Sequence, residues 1–146
     1  MNIYHYTSGQ HLTKILESGE LRVSEWEIKN RVRPPALWFS LNTIWEPTAT
    51  KMTSKNGMLI TLTKEEQHRM AGLYRFSIEF KEEKLCSWGR YKHVVSNTPL
   101  TMYRQMELSG IQKGANPKDW YASFKNIKLD QCVVLEKWDG KKWVIE

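Results

Sequence analysis

Cysteine is scarce in this chain. Only Cys86 and Cys132 occur in 146 residues, and neither belongs to a C-x-x-C pair. That excludes a disulfide framework and reads instead as two buried free thiols, the usage of a reducing compartment. Together with the four histidines (His5, His11, His68 and His93) they show no metal-ligand spacing, so no metal site is expected. No apolar run approaches the roughly 20 residues that cross a bilayer, so no membrane partner is expected. The first residues lack the basic region, apolar stretch and small-residue cleavage site of a signal peptide, which makes the cytoplasm the expected location. Internal repeats and low-complexity tracts are missing as well. The length leaves little room for two domains, and residues 1–146 read as one.

What is present is a core and a charge. The apolar fraction is 40%, and seven tryptophans supply large buried side chains, which excludes a disordered tail. The net charge of +6 favours an anionic partner, whether a nucleic acid, a dinucleotide or an acidic protein. The basic residues are spread along the chain, and only Lys29-Asn30-Arg31-Val32-Arg33 forms a local cluster.

Patterning predicts a strand-rich α+β domain with a few short helices. Residues 2–6 alternate and read as a first strand. Thr7 and Gln10 fit a capping box for a helix carrying Leu12, Ile15 and Leu16 on one face, with Gly19 as its C-terminal stop. A short extended piece at residues 21–23 precedes a loop over residues 24–35. Further strands are expected at 36–40, 58–62, 73–80, 120–124 and 132–138, the last turning at Asp139-Gly140 into a partner at 142–145. Thr63 and Glu66 cap a short helix, and residues 99–109 fit another. The strands imply two packed sheets, or one curved sheet with helices at its rim.

The first strand delivers His5 and Tyr6 beside a helix start, where free backbone N–H groups favour anions. An imidazole can hydrogen-bond a ribose hydroxyl, and Tyr4 or Tyr6 can stack on a flat ring. A second segment, Trp38-Phe39-Ser40-Leu41-Asn42 followed by Trp45-Glu46, can line a cleft. The competing reading of both segments is ordinary core and turn.

The run Ile3-Tyr4-His5-Tyr6-Thr7…Leu12…Ile15-Leu16-Glu17-Ser18-Gly19-Glu20-Leu21, followed by Trp38-Phe39-Ser40, resembles the N-terminal half of the ADP-ribosyltransferase fold. It is especially similar to the opening of DarT-like DNA ADP-ribosyltransferases, and also to that of RNA 2′-phosphotransferases. The likeness covers about the first 50 residues. It implies an ADP-ribosyltransferase-like core of two packed small sheets, with NAD as substrate. His5 would bind the NAD ribose, Thr7 would lie near the nicotinamide amide, and Ser40 would match the small hydroxyl residue ending the second strand. Tyr6, Trp38, Asn42 and Trp45 would complete the NAD site. The spacing Gln105-Met106-Glu107 matches a Gln-x-Glu motif, which would make Glu107 the catalytic acid and Gln105 a target-orienting group. On a strand those two side chains share a face, whereas on a helix they diverge by roughly 200°. Glu46 and Glu79 are the rival acids.

Lys29, Arg31 and Arg33 are the expected target contacts, with a solvated loop as the alternative. The function implied is mono-ADP-ribosylation of DNA, RNA or a protein, as in a toxin or a phage or bacterial conflict protein. The alternatives are a nucleotide- or nucleic-acid-binding module without turnover, and an inhibitory protein-binding domain.

Overall fold

Alternation of Ile3, His5 and Thr7 against Tyr4, Tyr6 and Ser8 makes the first strand, β1 (Asn2–Ser8). A computed structural model of the chain describes residues 1–30, 33–132 and 134–146, apart from the Trp26 side chain. After β1 come α1 (Gly9–Ser18), β2 (Glu20–Leu21), α2 (Glu25–Asn30) and β3 (Leu37–Ser40). A ribbon of β4 (Met52–Lys55) and β5 (Met58–Thr61) leads to α3 (Lys64–Ala71) and β6 (Leu73–Glu79). The C-terminal half opens with β7 (Cys86–Ser87) and α4 (Trp88–Arg90), which widens into a π-helical turn at Tyr91–Val95. It continues through α5 (Leu100–Gln112), β8 (Trp120–Ser123), β9 (Ile127–Lys128), β10 (Val134–Trp138) and β11 (Trp143–Ile145). Among the described residues, no helix is long and apolar enough to cross a membrane.

The architecture is α+β and strand-rich. Seven strands form one antiparallel sheet in the order β11-β10-β6-β1-β3-β8-β7, while β2–β9 and β4–β5 are separate ribbons. The sheet is not uniform. β1 pairs with β6 along its whole length, from Asn2↔Glu79 to Ser8↔Leu73, but meets β3 only at Tyr4↔Ser40. β3 in turn follows β8 from Leu37↔Ser123 to Ser40↔Trp120. Two packed sheets, or one curved sheet, were expected; the strands form one sheet whose four-stranded and three-stranded halves are joined at one residue pair. Beside that pair, His5 Nδ1 donates to the Trp38 carbonyl at 2.9 Å, so a side chain bridges the gap in the ladder.

Each face has its own core. Ile3, Leu37, Phe39 and Phe76 pack with Leu21 and with Leu12 and Ile15 of α1. The opposite face carries two aromatic clusters. One gathers Tyr6, Trp45 and Leu73 with Trp138 and Trp143; the other gathers Trp88, Tyr91, Tyr103 and Trp120 with Trp38. Cys86 is buried and Cys132 half-buried, both as free thiols.

Local chemistry explains the element ends. Gly19 takes the left-handed φ of 74° that stops α1, its N–H reaching the Ile15 carbonyl at 2.9 Å. The Thr63–Glu66 capping box starts α3 as expected. The Thr7–Gln10 box does not form. Thr7 and Ser8 stay in the strand, paired with Tyr74 and Leu73, and Ser8 caps α1 with no side-chain bond. Residues 24–35 are not all loop. Ser24 Oγ accepts the Glu27 N–H at 3.3 Å, and α2 follows it. The unexpected strand β4 pairs with β5 across an Asn56-Gly57 turn whose φ angles are both positive, 52° and 78°.

Candidate functional site

The gap between the half-sheets opens into a cleft of about 380 Å³, within the range of small-molecule sites. Tyr4, His5 and Tyr6 line it from β1, Trp38 and Ser40 from β3, and Trp88, Met106 and Trp120 from the far wall. Glu46, Thr48 and Lys51 close it from the loop after β3. His5 is fixed by its bond to Trp38. Because a carbonyl only accepts, Nδ1 carries the proton and Nε2 presents a lone pair. Burial holds the imidazole below its ordinary pKa; the carbonyl bond opposes this, and Lys51 and His11 add to it. His5 is therefore a neutral acceptor near pH 7.

Glu46 is the carboxylate at this cleft, and it is buried. One oxygen accepts Ser40 Oγ at 2.8 Å and Trp120 Nε1 at 3.1 Å. The other accepts the Thr48 N–H at 3.0 Å and Thr48 Oγ1 at 2.6 Å. Four donors match the roughly four lone-pair sites of a carboxylate. The local sequence Glu46-Pro47-Thr48 builds this arrangement. Glu46 caps the 3₁₀ turn Pro47–Ala49, and Pro47 at its first position needs no N–H partner.

Comparison of the chain with protein-family models, curated proteins and solved structures finds no match.

The expected site residues separate into three groups. His5, Tyr6, Trp38 and Ser40 meet at the cleft. Of these, Tyr6 is occupied internally. Its hydroxyl donates to the Asn42 carbonyl and receives Arg75 Nη1 at 3.3 Å, and its ring stands edge-on to Trp45 at 5.1 Å. Burial pushes its pKa up to about 12, against the lowering effect of Arg75. Thr7 is buried and lines a neighbouring groove, not the cleft. Asn42 and Trp45 also fall outside it. Asn42 Oδ1 accepts the N–H groups of Ile44 and Trp45, and the Trp45 indole donates to Thr50.

Gln105 and Glu107 do not share a face, and neither lines the cleft. Residues 105–107 lie inside α5, where helical rotation turns Gln105 and Glu107 apart. Glu107 accepts Trp88 Nε1 at 2.8 Å and pairs with Lys92, while Met106 is the residue that reaches the cleft. The rival Glu79 is exposed at the end of β6. Of the expected target contacts, Lys29 is exposed on α2, and Arg33 is ion-paired to buried Glu27. Arg31 lies outside the described residues.

A second groove, about 730 Å³, adjoins the cleft on the α1 side and shares His5, Tyr6 and Lys51 with it. His11 and Lys14 reach it from α1. Sequence reasoning missed Thr48, Lys51, Trp88, Met106 and Trp120. A glutamate before Pro-Thr signals a capped turn, and that was the legible hint at Glu46 and Thr48. Trp120 is brought in by the pairing of β3 with β8, and Lys51, Trp88 and Met106 by tertiary packing outside the strands, which leaves no local trace.

Proposed function

We propose that the cleft binds NAD and that the chain is an NAD-dependent mono-ADP-ribosyltransferase acting on a macromolecular target. The observation that carries this reading is the convergence of a pinned neutral histidine, a small hydroxyl residue and a carboxylate with tryptophan rings in one cleft. The two grooves meeting at His5 suit a ligand made of two joined parts, with a flat base against the half-buried Trp38 ring. His5 Nε2 accepts from a ribose hydroxyl. Breaking the bond from ribose to nicotinamide releases a neutral base and builds positive charge on the ribose, which then bonds to a nucleophile of the target as that nucleophile gives up its proton to water. Glu46 takes the place expected for Glu107 and counters that charge through the field of its carboxylate.

A second reading follows from the same glutamate. Its lone pairs are all engaged by Ser40, Thr48 and Trp120, which suits a rigid nucleotide-binding module without turnover. Nicotinamide release from labelled NAD, with DNA, RNA and protein as acceptors, separates the two. The transferase reading expects release by the wild type, a fall of about 100-fold or more in His5→Ala and Glu46→Gln, and no change in Glu107→Gln. NAD binding without release by the wild type under any condition leaves the module.

A further inference from the structure

We infer that Lys51, flanked by His11 and Lys14, is a phosphate-docking point where the cleft meets the second groove. The inference deepens the nucleotide reading of the cleft but does not require turnover.

Lys51 lines both grooves. Among the described residues, no carboxylate lies within ion-pair distance of its ammonium. Three acidic residues, Glu17, Glu20 and Glu25, share the second groove, but Glu20 is engaged by Arg22 at 3.2 Å and by Asn126 at 3.3 Å. Lys51 and His11 act on His5, and Lys51 and Lys14 act on His11, in each case disfavouring a further positive charge. An ammonium without an ion-pair partner, in a groove it shares with His11 and Lys14, is poised for an anion.

The backbone at Lys51 is built, not loose. Its N–H donates to Gln67 Oε1 at 2.6 Å, and its carbonyl accepts the Leu62 N–H at 2.9 Å. Gln67 is 1% exposed, and its Nε2 has no partner, so a buried donor without an acceptor sits behind this residue. An inward glutamine on α3 thus fixes where the lysine leaves the backbone. A nucleotide whose base lies in the cleft and whose phosphates reach Lys51 would occupy both grooves, since Lys51 lines each of them.

Calorimetric titrations at low salt with adenosine, ADP and inorganic pyrophosphate test the site. Wild type is expected to bind ADP and pyrophosphate, and to bind ADP more tightly than adenosine. Lys51→Gln should weaken ADP about tenfold and leave adenosine unchanged, with a smaller loss in Lys14→Ala. Lys55→Gln, at the end of β4 and outside both grooves, should match wild type. No ADP binding by wild type, or equal loss in Lys51→Gln and Lys55→Gln, overturns the inference. A short oligonucleotide with and without a 5′-phosphate identifies the source of the anion. Tighter binding of the phosphorylated form, lost in Lys51→Gln, assigns the site to a nucleic-acid end; otherwise ADP binding assigns it to a free nucleotide. Pyrophosphate binding without nicotinamide release defeats the transferase reading alone. Release of nicotinamide with an unchanged KM for NAD in Lys51→Gln defeats this inference alone.

Discussion

His5 does two jobs that pull on its protonation in opposite directions, and burial prevails. It bridges the half-sheets through Nδ1, and it sits where burial and the charges of Lys51 and His11 resist a second proton. Its folded pKa therefore lies below the unfolded value near 6.5. Between those two values the unfolded chain binds more protons, so unfolding becomes easier as pH falls through that window. The contribution is complete above about pH 6.5 and has vanished once pH passes below the folded pKa. His11 is shifted in the same direction, chiefly by burial, and adds to the trend. Urea midpoints at pH 7.5, 6.0 and 5.0 should fall with pH more steeply in wild type than in His5→Gln, which keeps a donor but cannot titrate. Equal slopes would show that His5 is not a source of the acid sensitivity.

At the scale of elements, the wall behind Glu46 depends on a missing side chain. Gly110 of α5 is buried, and a Cβ placed there would stand 2.9 Å and 3.0 Å from Trp120 ring carbons and 3.2 Å from Thr48 Cγ2. Trp120 and Thr48 supply three of the four donors to Glu46, so this close approach of α5 holds those partners in place. Gly110→Ala is expected to cost about 1–3 kcal/mol through overpacking, in spite of alanine's higher helix propensity. Thermal melts should show a fall of roughly 3–4 °C per kcal/mol. Gly89→Ala, where a Cβ meets nothing within 4 Å, should melt at or above wild type. A Gly110→Ala protein as stable as wild type would mean that α5 does not brace the site.

Elements also mark how far the sequence could be read. Strong period-two runs such as Leu73–Glu79, the capping box at Thr63 and the stop at Gly19 were legible because their causes are local. The β4–β5 ribbon carried a local signal too, in Asn56-Gly57, but Met52–Lys55 is polar enough to read as loop. The helical Glu107 turned on a competition between motif spacing and helix rotation, and the helix won. His5, Tyr6, Trp38 and Ser40 were found because they lie on two short segments. Trp120 joins them through a pairing whose separation a local reading does not reach, Ser40↔Trp120, and Lys51 through the fold of the loop after β3.

For the whole molecule, the consequence of the single β1–β3 pair is uneven cohesion across one sheet. The ladder between β1 and β6 runs from Asn2 to Ser8, and β6 continues into β10 from Val134↔Ser77 to Lys137↔Tyr74. That half is further tied by Arg75, which pairs with Glu136 at 2.9 Å, donates to the Thr43 carbonyl at 2.6 Å and lies 4.1 Å over the Tyr4 ring. The other half is held by β3–β8 and by the aromatic cluster around Trp88. Between them stand Tyr4↔Ser40 and the His5–Trp38 bond. Backbone amides with ladder partners open only with their cooperative unit, whereas those without partners exchange through small local openings. Native-state hydrogen exchange should therefore find β1 amides directed at β6 among the slowest. Those directed at β3 beyond Tyr4 should exchange much faster, and a ligand seated in the cleft should slow them without changing β10 or β11. Uniform protection on both edges of β1 would show that the half-sheets behave as one unit, and the cleft would then be a surface feature, not a seam.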